Sequence, residues 1–287
     1  MKDDELQARG GPPVGPGAEA REAPGPGWRR GPEHRPLPPP RDAVALARLV
    51  AATPARLATG RTGTRYLTEA ALRLRADHAI ALDAVESEVD PAWAEAQGWL
   101  ALRTLATDHQ DFLLYPDRGR RLDAPSRVRC EGAAVPGVDV QLIAGDGLSA
   151  AALRLQGPAL LAALARALTA AGFSLGPTLF VKYARIGVQD DVGVLTRARA
   201  TVIVVGERPG LGTGDSLSLY TAYAPRLGQD NAEKDCISNV RQVGFTPVQA
   251  AVRCAELLRR CFQAGGGGVK LTGGDPALRP HVLNPAG

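Results

Sequence analysis

Aromatic side chains are scarce in this 287-residue chain, 5% of it, although 45% of its residues are hydrophobic. A surface that stacks nucleic-acid bases needs exposed rings, so that class of function is excluded. Charge of one sign is missing too: 34 Lys and Arg stand against 30 Asp and Glu, a net charge of +4. No polybasic stripe is left over to hold a phosphate backbone, and no nucleic acid is expected as a partner. The N-terminus lacks the apolar core of a secretion signal, and no hydrophobic run approaches the length of a membrane span. No membrane association is expected, and the predicted location is cytoplasmic.

Cysteine is limited to Cys130, Cys236, Cys254 and Cys261, with no CxxC pair and no Cys/His spacing that would hold zinc. Free thiols in a reducing compartment follow, and no metal site. Histidine is limited to His34, His78, His109 and His281, and no GxSxG elbow supplies a serine nucleophile. No residue of the chain is therefore assigned a catalytic role. The first strand-to-helix turn reads Gly145-Asp146-Gly147-Leu148-Ser149, which is neither GxGxxG nor a phosphate-cradling loop.

What is present begins with a segment rich in proline and glycine. Residues 1–40 hold ten Pro and seven Gly, and acids and bases are equally spread over 1–42. Such a segment buries too little apolar surface to offset chain entropy and is expected to be disordered. Residues 43–125 read as helical, with patterns over 43–50, 68–89 and 91–105 and no convincing strand. From 126 to 271 strands alternate with helices: strands at 138–144, 178–183, 201–205 and 218–223, helices from Ser149 to about Gly172 and over 247–263, and a turn segment over 185–193. That rhythm predicts an α/β fold, a Rossmann-like parallel sheet domain preceded by the helical region, with a flexible tail over 272–287.

In such a fold, ligands are held at the carboxyl ends of the strands. The run from Val202 to Val205 opens there into Gly206-Glu207-Arg208-Pro209-Gly210-Leu211-Gly212. The other strand-end turns bring Asp146, Arg185, Ile186, Asp190 and Asp191, and Cys236-Ile237-Ser238-Asn239 comes later. Amides, carboxylates and guanidinium groups in this mix suit a large ligand rich in amides, hydroxyls and phosphate better than acid–base catalysis.

Ordered blocks carry a family resemblance across roughly residues 43–271. They include Thr59-Gly60-Arg61 with Gly63, Arg73-Leu74-Arg75-Ala76-Asp77-His78, Tyr115-Pro116-Asp117, Phe180-Val181-Lys182-Tyr183, the Gly206–Gly212 run, Asp215-Ser216-Leu217-Ser218 and Cys236-Ile237-Ser238-Asn239. Together they resemble the small (light) subunit of ethanolamine ammonia-lyase. The resemblance implies adenosylcobalamin as cofactor, bound between this chain and a large TIM-barrel subunit in a hetero-oligomer. It implies radical deamination of ethanolamine to acetaldehyde and ammonia, with the substrate pocket on the large chain. By position, the small chain's cobalamin contacts fall on Ile186, Glu207 and Cys236. A bacterial microcompartment is the second address that the resemblance raises.

Three segments depart from the family pattern: Thr64-Arg65-Tyr66-Leu67-Thr68 stands where Pro-Arg-Pro-Arg-Thr is usual, which touches the large-subunit contact around Arg61 and Arg65; Ala184 stands where a glycine is usual; and Val243 replaces the first of a Gly-Gly pair. The altered turns at Ala184 and Val243 keep open a degenerate assembly partner that binds no cofactor, and the alternative from another class is a stand-alone Rossmann-like nicotinamide-dependent oxidoreductase.

Overall fold

A computed structural model describes residues 40–272 except 54, 213 and 243. Residues 1–39 of the expected arm, the tail beyond 272, and Val243 lie outside the described residues. The elements run α1 (Ala43–Ala51), β1 (Arg61–Thr62), β2 (Arg65–Tyr66), α2 (Thr68–Glu86), α3 (Pro91–Ala96), β3 (Leu100–Arg103), α4 (His109–Leu114) and α5 (Ala124–Ala133). They continue with β4 (Val140–Gly145), α6 (Ala150–Ala170), β5 (Leu179–Lys182), α7 (Val188–Thr196), β6 (Ala200–Gly206), β7 (Leu217–Tyr223), β8 (Lys234–Val240), α8 (Pro247–Ala264) and α9 (Val269–Thr272).

The chain divides into two compact units, Met1–Ala71 and Leu72–Gly287. In the first, the Asp42 side chain caps α1 by accepting from the Ala45 N–H at 2.9 Å, and no residue of that helix is buried. β1 and β2 pair as a two-residue hairpin around Gly63, whose φ of +61° suits the residue without a Cβ. Arg61 lies over the Tyr66 ring at 4.9 Å.

The second unit is built on a six-stranded sheet in the order β3-β5-β4-β6-β7-β8. β3, β5, β4 and β6 are parallel, while β7 and β8 turn back antiparallel. All residues of β4 and β6 are buried, as expected of central strands that are covered on both faces. One face packs against α6 and α8, joining Leu142, Val202, Val204, Leu217 and Leu219 to Leu153, Leu160, Leu164 and Leu258. The other packs Ile143, Val181, Ile203 and Val205 against Leu122, Cys130, Val188 and Val192 of α5, α7 and the chain before them. Each fully buried side chain of this size contributes about 1.5–3 kcal/mol. Ser149 caps α6 and Thr246 caps α8 in a reciprocal capping box with Gln249.

The α/β class is as the sequence predicts, but three local expectations are corrected. The helix expected over 91–105 ends at Ala96, where Gly98 adopts φ +77°, and residues 100–103 form the edge strand β3. The helical region therefore does contribute a strand to the sheet. The turn expected over 185–193 contains the helix α7, whose first turn carries Asp190 and Asp191, the placement that the helix dipole favours. The strand β8 around Cys236 is not among the expected strands, and the expected strand β7 pairs antiparallel with β6, so the sheet is mixed instead of wholly parallel.

Candidate functional site at the carboxyl edge of the sheet

Period-2 alternation in β7 sends Leu217 and Leu219 into the α6/α8 core. Ser216, Ser218 and Tyr220 point to the opposite face. Because β7 is antiparallel to β6, its first residues lie beside the last residues of β6, with Ser218 opposite Val205 and Leu217 opposite Gly206. The Glu207 carboxylate leaves the end of β6 at that point and accepts from both serine hydroxyls, Ser216 and, at 2.5 Å, Ser218. It also accepts from the backbone N–H of Asn239 on β8 at 2.8 Å. Three donors from two neighbouring strands thus hold one half-buried carboxylate in a fixed orientation.

Cys236 faces Tyr220 across the β7–β8 ladder and is the exposed thiol; Cys130, Cys254 and Cys261 are buried. The Tyr220 and Ser218 hydroxyls are within hydrogen-bonding reach of its sulfur, and Glu207 acts on it electrostatically. Partial burial raises the Cys236 thiol above the usual cysteine range, and the Glu207 and Asp235 charges add to that, while the two hydroxyls oppose it. The thiol is therefore protonated near neutrality. Glu207 and Cys236 share Ser218 and belong to one cluster. Ile186 sits elsewhere on the same edge, half-buried in the turn from β5 into α7.

Beneath that edge the packing is tight. A Cβ at Gly206 would stand 2.2 Å from the Ser149 carbonyl oxygen and 2.7 Å from that of Asp146. Its missing side chain makes room for the protein's own first turn. Gly147, at φ +60°, meets the same residue from the other side, and the Leu148 N–H donates to the Gly206 carbonyl at 3.1 Å.

Asp146 is also internal. Its carboxylate accepts from the N–H groups of Tyr183, Ala184 and Gly147, each at 3.0 Å. Complete burial pushes its pKa up to about 6, against the pull of those three donors and of Lys182. Tyr183 needs this support, because its φ of +59° is uncommon for a residue with a side chain. Its hydroxyl donates to Glu88 at 2.9 Å, and Lys182 pairs with the other Glu88 oxygen at 2.7 Å. Asp190 and Asp191, expected among the ligand-facing groups, are buried on α7 and paired with Lys234 and Arg127. Ala184 is buried as well, 1% exposed, and packs over Gly145, so this departure from the family pattern lies under the site rather than on it.

Ser216, Ser218, Tyr220 and Asn239 went unassigned in the sequence. The signal for the first three was their alternation with Leu217 and Leu219. Asn239 shows only in three dimensions, where its φ of +57° aims its N–H at Glu207.

Two comparisons with known proteins bear on this edge. The family model of the ethanolamine ammonia-lyase light chain (EutC) matches residues 43–272. The ethanolamine ammonia-lyase small subunit of Clostridium perfringens is 38% identical over 232 residues, 81% of this chain and 79% of that protein.

Proposed function

Since the chain belongs to the ethanolamine ammonia-lyase light-chain family, we propose that it binds adenosylcobalamin at its junction with a large TIM-barrel subunit, with Ile186, Glu207 and Cys236 as its contacts. The observation that carries this reading is the Glu207–Ser218–Cys236 cluster, which links an oriented carboxylate at the carboxyl edge of the sheet to an exposed thiol on the edge strand β8.

The residues fit such a group. β5 and β8 are separated by four inter-strand spacings, so a ligand touching both Ile186 and Cys236 spans on the order of 20 Å. Few cofactors other than a corrinoid with its nucleotide tail have that reach together with many amide donors. Glu207 has three acceptor positions filled from within, and a carboxylate offers about four, which leaves room for one amide or hydroxyl of the ligand. Ile186 supplies apolar contact, and Cys236 supplies a small polarizable one. When bound, the cofactor supplies a cobalt–carbon bond whose homolysis starts the radical deamination of ethanolamine to acetaldehyde and ammonia. The role of this chain is to bind, orient and help enclose it.

Contact with the large subunit is assigned to the helical region. Val44, Leu49 and Val50 of α1 are exposed, as are Leu72, Leu74, Ile80 and Leu82 of α2. Exposed apolar side chains in such numbers suit, on each of these helices taken by itself, a surface that a partner covers. None of the described helices is long and apolar enough to cross a membrane. The proposed address is the cytoplasm, with a bacterial microcompartment as the second.

The test is ammonia and acetaldehyde release from ethanolamine by this chain co-expressed with a large subunit, with and without adenosylcobalamin and with each chain alone. Turnover that requires both chains and the cofactor supports the reading. A well-formed complex that takes up no cobalamin overturns it in favour of an assembly partner without cofactor.

A further inference from the structure

Three guanidinium groups gather where the turns after β5 and β6 leave the sheet. Arg185 follows Tyr183 and Ala184; its backbone N–H donates to the Gly119 carbonyl at 2.8 Å and its Nη2 to the Phe112 carbonyl at 2.8 Å. Its guanidinium lies 4.1 Å over the Phe112 ring. Its stem runs across Gly119, where a Cβ would stand 2.6 Å from the Arg185 Cγ. Arg120 is placed in the same way, over Gly187, where a Cβ would stand 3.1 Å from the Arg120 Cγ. Arg208 comes directly after Glu207, at the end of β6. Two backbone positions without side chains thus serve as beds for two arginines.

The charges around them do not balance. Arg120 pairs with Asp117 at 3.1 Å, but that carboxylate is 92% exposed and the pair contributes little. The other acids of this edge are engaged elsewhere: Asp111 with Arg118, Asp190 with Lys234, Asp191 with Arg127, and Glu207 with its serines. The Nε of Arg185 is buried and has no hydrogen-bond partner among the described residues. Burial lowers the Arg185 pKa, and the like charges of Arg120 and Arg208 lower it further. Cations brought together and part-desolvated in this way stand in an unfavourable field until an anion joins them. A cavity of about 460 Å³ opens on the far side of Arg120, lined by Asp117, Asp190, Asp191 and Asp230 as well as Arg121 and Lys234; Arg185 and Arg208 do not line it, so the anion's approach is from the open edge beside the exposed Arg208.

We infer that Arg120, Arg185 and Arg208 form an oxyanion site at the carboxyl edge of β5 and β6, and that the group it takes is a phosphate. Planar guanidinium forks match phosphate oxygens in geometry as well as charge, and the idle Arg185 Nε–H is a donor already in place. Two sources offer this chemistry: the phosphodiester in the nucleotide loop of a bound cobalamin, or free phosphate. The first source rests on the proposed function above; the site itself does not.

The test is titration of the full-length chain with inorganic phosphate, followed by 31P and Arg Nε–H NMR, against sodium chloride at matched ionic strength to remove screening effects. The site predicts saturable binding, a shift of the Arg185 Nε–H resonance, and about tenfold weaker binding in Arg185→Gln and in Arg208→Gln. Arg208 is exposed, so Arg208→Gln keeps the fold if Arg185→Gln does not. No saturable binding, or equal binding by wild type and Arg208→Gln, overturns the inference. The complex with the large subunit then separates the sources. Cobalamin that competes with phosphate, while cobinamide (which lacks the nucleotide loop) does not, assigns the site to the cofactor tail; phosphate binding unaffected by either assigns it to free phosphate. A complex that binds neither corrinoid removes the proposed function and leaves the phosphate titration to decide the site.

Discussion

The Glu207 carboxylate and the Asn239 backbone N–H meet at 2.8 Å, which ties the end of β6 to β8 across the width of β7. The residue assigned to the cofactor is thus also a fastening of the sheet, and the two roles can be separated by substitution.

Glu207→Ala leaves two serine hydroxyls and one backbone N–H without their acceptor. A loss on the order of 2 kcal/mol in unfolding free energy is expected, read by denaturant titration. Glu207→Gln keeps one carbonyl oxygen for Ser218 and Asn239 and should lose less than half of that. In complex with the large subunit, the Gln variant is expected to bind cobalamin about tenfold more weakly than wild type, the equivalent of one charge-assisted hydrogen bond. Wild-type affinity in Glu207→Gln would leave Glu207 as a fastening alone.

Asp146 sets a pH dependence. Its folded pKa of about 6 stands above the ordinary aspartate value of 3.8, so the folded state holds the proton more tightly than the unfolded chain. The stability this confers is full below about pH 4, is lost as pH rises through about 6, and is flat beyond. The difference in unfolding free energy between wild type and Asp146→Asn should therefore drift against wild type by on the order of 2–3 kcal/mol across that window. A constant difference from pH 4 to pH 8 would place the Asp146 pKa at its unfolded value.

Cys236 is the exposed thiol of the four cysteines. In the native isolated chain a maleimide should label one thiol per molecule, and four after denaturation. The rate should be slow at pH 7 and climb past the usual cysteine range, because burial and the Glu207 and Asp235 charges disfavour the thiolate. Assembly with the large subunit and cobalamin should protect it. Mass spectrometry of tryptic peptides identifies the labelled residue, and modification of Cys254 or Cys261 in the native chain would contradict the packing of α8.

The α/β rhythm was legible because β4 and β6 are mostly apolar runs, interrupted only by Gln141 and Thr201 and ending in glycine, which is the signature of strands buried on both faces. β3 was not. Its Leu-Ala-Leu-Arg follows the Ala-rich helix α3 without a change to β-branched residues, and only pairing with β5, far along the chain, makes it a strand. β8 failed for a different reason: its burial follows no period of two, since Cys236, Ser238 and Asn239 are exposed around Ile237 at the bulged edge. At the site, the position of Glu207 after a buried strand was readable. Its internal donors were not, because the serines are on the next strand and Asn239 on the one beyond. The acids on α7 misled for the converse reason: in sequence they resemble a polar turn, and their cationic partners Arg127 and Lys234 are remote.

The switch from parallel to antiparallel pairing after β6 has a consequence for how the chain reaches this state. β6, β7 and β8 are joined by near-sequential hairpin pairings, so the Glu207–Cys236 cluster can close from contacts that are local along the chain. β3, by contrast, finds its partner only after β4 and α6 have intervened, because Leu100 pairs with Leu179. During synthesis from the N-terminus, β3 and the helices before it must wait without their sheet, while the ligand edge can assemble quickly once its last strand is made. The later-made part of the sheet, which carries Glu207 and Cys236, thus has the shorter search, and the earlier-made edge strand β3 the longer one.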